Sequence, residues 1–395
     1  MRILHTSDWH LGHTLHDRDR EFEHAIFLDW LLDVLGRYSV DALIVAGDIF
    51  DSANPSASAQ ALWYRFLARA RGQYPDRDVV VIGGNHDSPS RLDAPDPILS
   101  AFGIHVVGGF PRGDIERALV PLKNHAWVAA VPFLRAGDLD ADASPVEGVR
   151  AVYARVLAEA RARRQPGQAI IATGHCYMSG TRLSEQSERK ILGGNQHALP
   201  ADIFPDEVAY AALGHLHLAQ AVERDNVRYC GSPIPLSLEE AGYPHQVLLV
   251  DIEGEQFVSA RPLHVPRAVE IIRVPAEGAA PLEEILPWLR ALPEIGDLEE
   301  RRRPYLHVEI ALPKPRVSLR QELEDALAGK AARLVRWQAR YAGEGGALAD
   351  ERPGASLRDL RPEDVFRMRY QRAYPDAPSD ELMTAFHELV LEAHA

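Results

Sequence analysis

At roughly 150 residues per domain, a chain of 395 residues has room for two or three domains, and its 46% hydrophobic and 25% charged residues exclude a disordered, collagenous or disulfide-stapled protein. Its 43 basic residues, only four of them lysine, face 57 acidic ones, and the net charge of −14 excludes coating nucleic acid by charge alone. Gripping phosphate through metal ions and a local basic patch stays open. Cys176 and Cys230 are the only cysteines and no CxxC occurs, which excludes a zinc-thiolate finger and suits a reducing compartment. The start, MRILHTSDWH, lacks the apolar stretch of a signal peptide, and no segment approaches ~18 consecutive apolar residues. A soluble cytoplasmic protein with no membrane span is expected.

Taken in chain order, short apolar runs alternate with helical patterns. The runs are Ile3-Leu4, Ala42 to Ala46, Val79 to Ile82, Trp127 to Val131, Ala169 to Ala172, Val208 to Leu213 and Val247 to Val250. Their length and their Val and Ile content predict buried strands. Glu21 to Leu35 and Val149 to Arg163 read as helices. This alternation predicts an α/β layered domain over residues 1–265. Residues 266–342 read as a smaller α+β domain of pattern β-α-β-α-β, with Ser318 capping its second helix. A linker rich in Gly and charge follows over 343–354, then a tail of two short helices over 355–395, the first opening at Pro362 and the second capped by Ser379.

Five polar clusters each follow an apolar run: Asp8 and His10; Gly47-Asp48; Gly84-Asn85-His86-Asp87; Gly174-His175; and Gly214-His215-Leu216-His217. Ligands of α/β sheets bind beyond the carboxyl ends of strands, so these clusters are expected to converge. Carboxylates, imidazoles and an amide oxygen form a mixed N/O metal-ligand set, too large for one ion and suited to two. Asp48, between the other groups in sheet order, is the candidate bridging ligand.

The ordered motifs DxH, GDxxD, GNHD, GH and GHxH resemble the signature of the calcineurin-like metallophosphoesterases. TSDWHLGHTL, GGNHDSPSRL and YCGSPIPLSLEE look like the bacterial nuclease subunits that work with an SbcC-type coiled-coil ATPase on DNA ends and hairpins. The resemblance implies a layered αββα sandwich with a capping domain. It implies that Asp8, His10 and His217 hold one metal, that Asn85, His175 and His215 hold the other, and that Asp48 bridges them. His86 is then the non-ligand catalytic histidine, and manganese the usual ion. Asp51 stands where some relatives carry histidine. The GDxxD spacing matches metal-dependent protein phosphatases, and Asp51 is expected to orient His86.

A metal-dependent DNA nuclease is the leading expectation, with single-strand endonuclease and double-strand exonuclease activity. A phosphatase or phosphodiesterase acting on proteins or small molecules is the alternative, and an intact ligand set argues against a non-enzymatic scaffold. The resemblance also implies a homodimer within a heterotetramer. Its contact is expected on Ala61, Leu62, Trp63, Phe66 and Leu67 of one helix, with Ile98, Leu99 and Phe102. In the tail, Val365, Phe366 and Tyr370, then Leu382, Phe386, Leu389 and Val390, form apolar stripes expected to dock on the ATPase coiled coil.

Overall fold

The computed structural model describes residues 1–123, 125–182, 198–314, 316 and 318–341, with 363, 366, 367, 369, 370, 378, 379, 382, 383 and 386 in the last stretch. Residues 343–354, Pro362, Val365, Leu389 and Val390 lie outside the described residues. The chain divides into two compact units: Met1–Ile310 with Val317–Arg340, and Ala311–Arg316 with Tyr341–Ala395.

The main elements of the first part run in order as β1 (Arg2–Thr6), α1 (Glu21–Arg37), β2 (Ala42–Ala46), α2 (Ala57–Gln73), β3 (Asp78–Ile82), β4 (Ile104–Val107), β5 (Leu119–Leu122), β6 (Ala126–Ala129), α3 (Pro145–Arg163), β7 (Ala169–His175), β8 (Val208–Gly214), β9 (Gln220–Val222), β10 (Arg224–Tyr229), β11 (Gln246–Glu253) and β12 (Gln256–His264). They form two six-stranded sheets, ordered β12-β11-β1-β2-β3-β4 and β9-β10-β8-β7-β6-β5. Strands β1 to β4 are mutually parallel, as are β6, β7, β8 and β10. Each site-bearing strand therefore ends on the same side of its sheet.

The sequence ALIVA shows why these strands are apolar on both faces. Ala42, Ile44 and Ala46 join the core between the sheets, where they meet Ala169, Ile171 and Ala212 of the second sheet. Leu43 and Val45 turn the other way, into the core shared with α1 and α2. The second sheet repeats the device, with Ile170 and Ala172 packed among the buried face of α3. Side chains alternate across a strand, so four layers follow: helices, sheet, sheet, helix.

The helices begin where local chemistry directs. Glu21 and Glu23 sit in the first turn of α1 and Arg37 in its last, which suits the helix dipole. Ser56 accepts the Ala59 N–H at 3.2 Å and caps α2. Ser144 and Glu147 form a reciprocal capping box ahead of Pro145 in α3. The stripe on α2 expected at a dimer contact is corrected here: Leu62, Trp63, Phe66 and Leu67 are buried in the helix-side core, as is Leu99. Tyr64, Ile98 and Phe102 are the exposed large apolar residues of that region, with Ile98 at 65% exposure.

Next come β13 (Ile271–Val274), α4 (Leu282–Arg290), β14 (Tyr305–Leu312), α5 (Leu319–Ala326) and β15 (Arg333–Tyr341). Strand β13 runs parallel to β14, and β15 pairs with β14 as well. Ser318 precedes α5, but its hydroxyl donates to the Glu322 carboxylate at 2.6 Å and accepts no capping N–H. In the last stretch, Ser379 accepts the Leu382 N–H at 3.3 Å, and Phe366 stacks on Phe386 with ring centroids 4.3 Å apart. Among the described residues no helix is long and apolar enough to cross a membrane.

The imidazoles of His5 and His24 are buried with no charged hydrogen-bond partner. His5 bonds Tyr210 Oη and the Leu213 carbonyl, and His24 bonds the Trp9 carbonyl. Burial pushes both down to about 3. An unfolded histidine takes up its proton near pH ~6.5, so between that pH and about 3 the unfolded chain binds more protons than the folded one. The neutral-pH stability is thus complete above ~6.5 and falls on acidification, by about 1.4 kcal/mol per pH unit per imidazole. Urea titrations from pH 7 to pH 5 are expected to show this loss, with a shallower slope for His24→Gln.

Candidate metal centre

The loop after β1 is held by what lies between its two polar residues. The Trp9 ring is fully buried and packs edge-to-face on Phe27, Trp63 and Phe66, with centroids 5.3 to 5.6 Å away. The Asp8 N–H donates to the Gly47 carbonyl, and the His10 N–H to the Asp48 carbonyl, each at 3.0 Å. Loops one and two are thereby laced together. Asp8, His10, Asp48 and His215 all adopt positive φ, a left-handed conformation that costs a non-glycine residue roughly 1 kcal/mol or more. Gly47, at φ 92°, admits no side chain: a Cβ would collide with the His175 imidazole.

Asp48 is the meeting point. Its Oδ2 lies 3.5 Å from His10 Nε2 and 3.3 Å from His175 Nε2, and its Oδ1 accepts the His86 N–H at 2.9 Å. Asn85 Oδ1 lies 2.9 Å from His175 Nε2 and 3.1 Å from His215 Nδ1. The Asp8 carboxylate accepts the His215 N–H at 2.9 Å and the Ser7 hydroxyl. Asp8, His10 and His217 bring their ligand atoms within 4.8 Å of one another, as do Asp8, Asp48 and His175. His10, Asp48 and His86 form a third such group. All seven expected ligands, and His86, are thus gathered in one place.

The outer partners decide which nitrogen of each ring is available. Backbone carbonyls only accept, so His175 Nδ1, 2.9 Å from the Ala46 carbonyl, and His86 Nδ1, 2.9 Å from the Asp51 carbonyl, both carry protons. His10 Nδ1 donates to the Asp51 carboxylate at 3.1 Å, and His217 Nδ1 to the Glu240 carboxylate at 3.0 Å. The lone pairs of neutral His10, His175 and His217 are therefore on Nε2. His10 Nε2 is buried and makes no hydrogen bond. Lone-pair nitrogens facing carboxylate and amide oxygens at these distances fit divalent cations. Without an ion, burial opposes ionisation of His175, yet the Asp48 carboxylate outweighs it and lifts the imidazole to about 9; the carboxylates thus draw positive charge into the site, which a cation supplies in place of that proton.

One reading needs correction. Asp51 does not turn its carboxylate to His86; the carboxylate goes to His10, and His86 is held by the Asp51 main-chain carbonyl. The Asp87 carboxylate is taken up by the N–H groups of Gly84, Ile49 and Phe50, tying the loop after β3 to that after β2. Glu240 was not expected at the site. It is fully buried, accepts from both His217 and the Leu236 N–H, and is brought down to about 2 by His217 against the pull of burial. Its only sequence signal is a carboxylate in an otherwise apolar segment, IPLSLEE.

Fold and site define a phosphoesterase, and related proteins agree. The model of the calcineurin-like phosphoesterases matches residues 1–219, and that of the type 5 capsule protein repressor C-terminal domain matches 265–374. The SbcD component of the SbcCD nuclease of Rhodobacter capsulatus is 42% identical over 354 residues, covering 85% of this chain and 86% of the relative. The proteins of that name from Escherichia coli K12 and Bacillus subtilis are 36% and 35% identical, covering 78% and 73% of this chain and 80% and 75% of their own. The chain belongs to the calcineurin-like phosphoesterases and, within them, to the SbcD family of nucleases.

Removing an outer carboxylate typically weakens a metal site about 10–100-fold. Glu240→Ala is expected to do so, read by calorimetric titration of manganese into chelator-treated protein. Glu240→Gln, which still accepts from His217 Nδ1, is expected to recover most of the affinity. Unchanged affinity in Glu240→Ala would remove its role.

Proposed function

We propose that this protein is a DNA nuclease subunit that hydrolyses phosphodiester bonds with two divalent metal ions and acts with an SbcC-type ATPase. The observation that carries the reading is the Asp48 carboxylate, reached by His10 from one sheet and by His175 from the other. One carboxylate between two nitrogen-rich ligand groups is the arrangement a bridged pair of ions requires. Asp8, His10 and His217 would hold one ion; Asn85, His175 and His215 the other. The mixture of carboxylate, amide and imidazole donors supports a divalent cation, and manganese is the ion that the family resemblance implies. Ions held by these residues would lower the pKa of a bound water toward neutrality and offset the charge on the phosphate.

His86 supplies the proton. With Nδ1–H held by the Asp51 carbonyl, its orientation is set, and in the doubly protonated ring Nε2 carries the proton that passes to the departing sugar oxygen, leaving the neutral Nδ1–H form. Asp51 serves His10, fixing the tautomer that offers Nε2 to metal. Residues 1–265 would form the nuclease domain, 266–342 the capping domain on the DNA side, 343–354 the linker and 355–395 the element that docks on the ATPase coiled coil. A homodimer would use the exposed Tyr64, Ile98 and Phe102.

The test is manganese-dependent cleavage of a single-stranded oligonucleotide by the full chain. His86→Gln is expected to lower kcat by about 10²–10⁴-fold. Elemental analysis should still find about two ions per chain. Loss of the ions would make His86 a ligand, and wild-type turnover would remove it from the chemistry.

A further inference from the structure

Beside the metal centre lies a cavity of about 240 Å³ that shares one wall with it, the ring of His175. Phe133 meets that ring edge-on, with centroids 6.3 Å apart. Leu139, Val149 and Tyr177 add apolar surface, and the half-exposed Arg135 and exposed Ala136 line it on the solvent side. The walls are braced to the metal-ligand loops. The Phe133 N–H donates to the Gly83 carbonyl at 2.9 Å, and the Arg135 guanidinium donates to the Asp87 carbonyl at 3.0 Å while lying 5.3 Å over the Phe133 ring. Tyr229 holds the Cys176 carbonyl at 2.6 Å. Burial pushes the Cys176 thiol up to about 12, so it adds no charge.

We propose that this cavity is a nucleobase subsite that takes the base of a nucleotide flanking the phosphodiester at the metal centre. The proposal rests on the nuclease reading above. A pocket this small admits one flat ring system and excludes a helix or strand of a protein partner. Aromatic walls under a guanidinium bind any base by its face, because every base has one, and stacking of this kind is largely blind to sequence. The shared His175 wall puts the pocket within one nucleotide of the phosphate that the ligands face. The chain carries a net charge of −14, so phosphate contacts alone attract DNA weakly, and a stacked base supplies what charge does not. A base inside a duplex is stacked on its neighbours and cannot enter without leaving them. The subsite therefore selects unpaired nucleotides, as in single strands, loops and frayed ends.

The test compares wild type, Phe133→Ala and Ala136→Trp, the last filling the pocket from its exposed side. Two oligonucleotides are used, one intact and one with the base at the flanking position replaced by an abasic tetrahydrofuran. Both variants are expected to raise KM on the intact oligonucleotide by about tenfold or more, with kcat little changed, and to match wild type on the abasic one. Phe133→Tyr is expected to restore the wild-type KM. Equal losses on both oligonucleotides, or no loss on either, overturn the subsite. Independently of cleavage, the monophosphate of 2-aminopurine deoxynucleoside is expected to be quenched on binding wild type with manganese and not Ala136→Trp. Quenching without cleavage would count against the nuclease reading alone, and cleavage without quenching against the subsite alone.

Discussion

The centre depends on Asp48 being reachable from two sheets at once. Its carboxylate lies within 3.5 Å of His10 from the first sheet and of His175 from the second. Those imidazoles come from strands that share no hydrogen bonds. What sets their separation is the core between the sheets, where Ile44 and Ala46 pack near Ile171 and Ala212. Small residues at Ala46 and Gly214 let the strand ends close in, and a Cβ on Gly214 would strike the Ala46 carbonyl. Packing in that layer thus sets the geometry of the chemistry. Core interiors of this density are stiff, which is what a site of many ligands from separate loops requires.

The same constraint explains the backbone. Four non-glycine residues at positive φ, each costing roughly 1 kcal/mol or more, would not survive in a free loop. They persist because Trp9 is clamped by three aromatic rings and because Asp87 gathers three N–H groups from two loops. Neither residue touches a candidate substrate position. Both act by making one loop conformation far better than the alternatives, so the ligand groups are oriented before anything binds.

Much of this was legible from sequence. Strand cores such as ALIVA carry their own signal in length and composition, and polar residues directly after them announce a site at the strand ends. What escaped was anything decided by closure of the fold. Spacing pairs Asp51 with His86, but a carboxylate and its own carbonyl can serve two different histidines, and only the turn after Phe50 determines which takes which. Glu240 lies 23 residues from His217, with no periodicity linking them. The apolar stripe of α2 is visible in the sequence, but a stripe says only that something covers it; here α1 and the first sheet do so from within. Strands such as Leu119–Leu122 and Gln256–His264 were missed because they lie at sheet edges and carry Pro or charge in place of an apolar run.

The order of strands in the first sheet carries a further consequence. Strand β1, which leads into the loop of Asp8 and His10, is flanked on one side by β2 and on the other by β11, with Arg2 opposite Asp251 and His5 opposite Leu248. The first ligands made by the ribosome are therefore seated by a strand made among the last of the sandwich. A nascent chain shorter than about 250 residues has β1 as a bare edge on that side, so the sheet beneath the first ligand loop closes only when nearly the whole sandwich has been made.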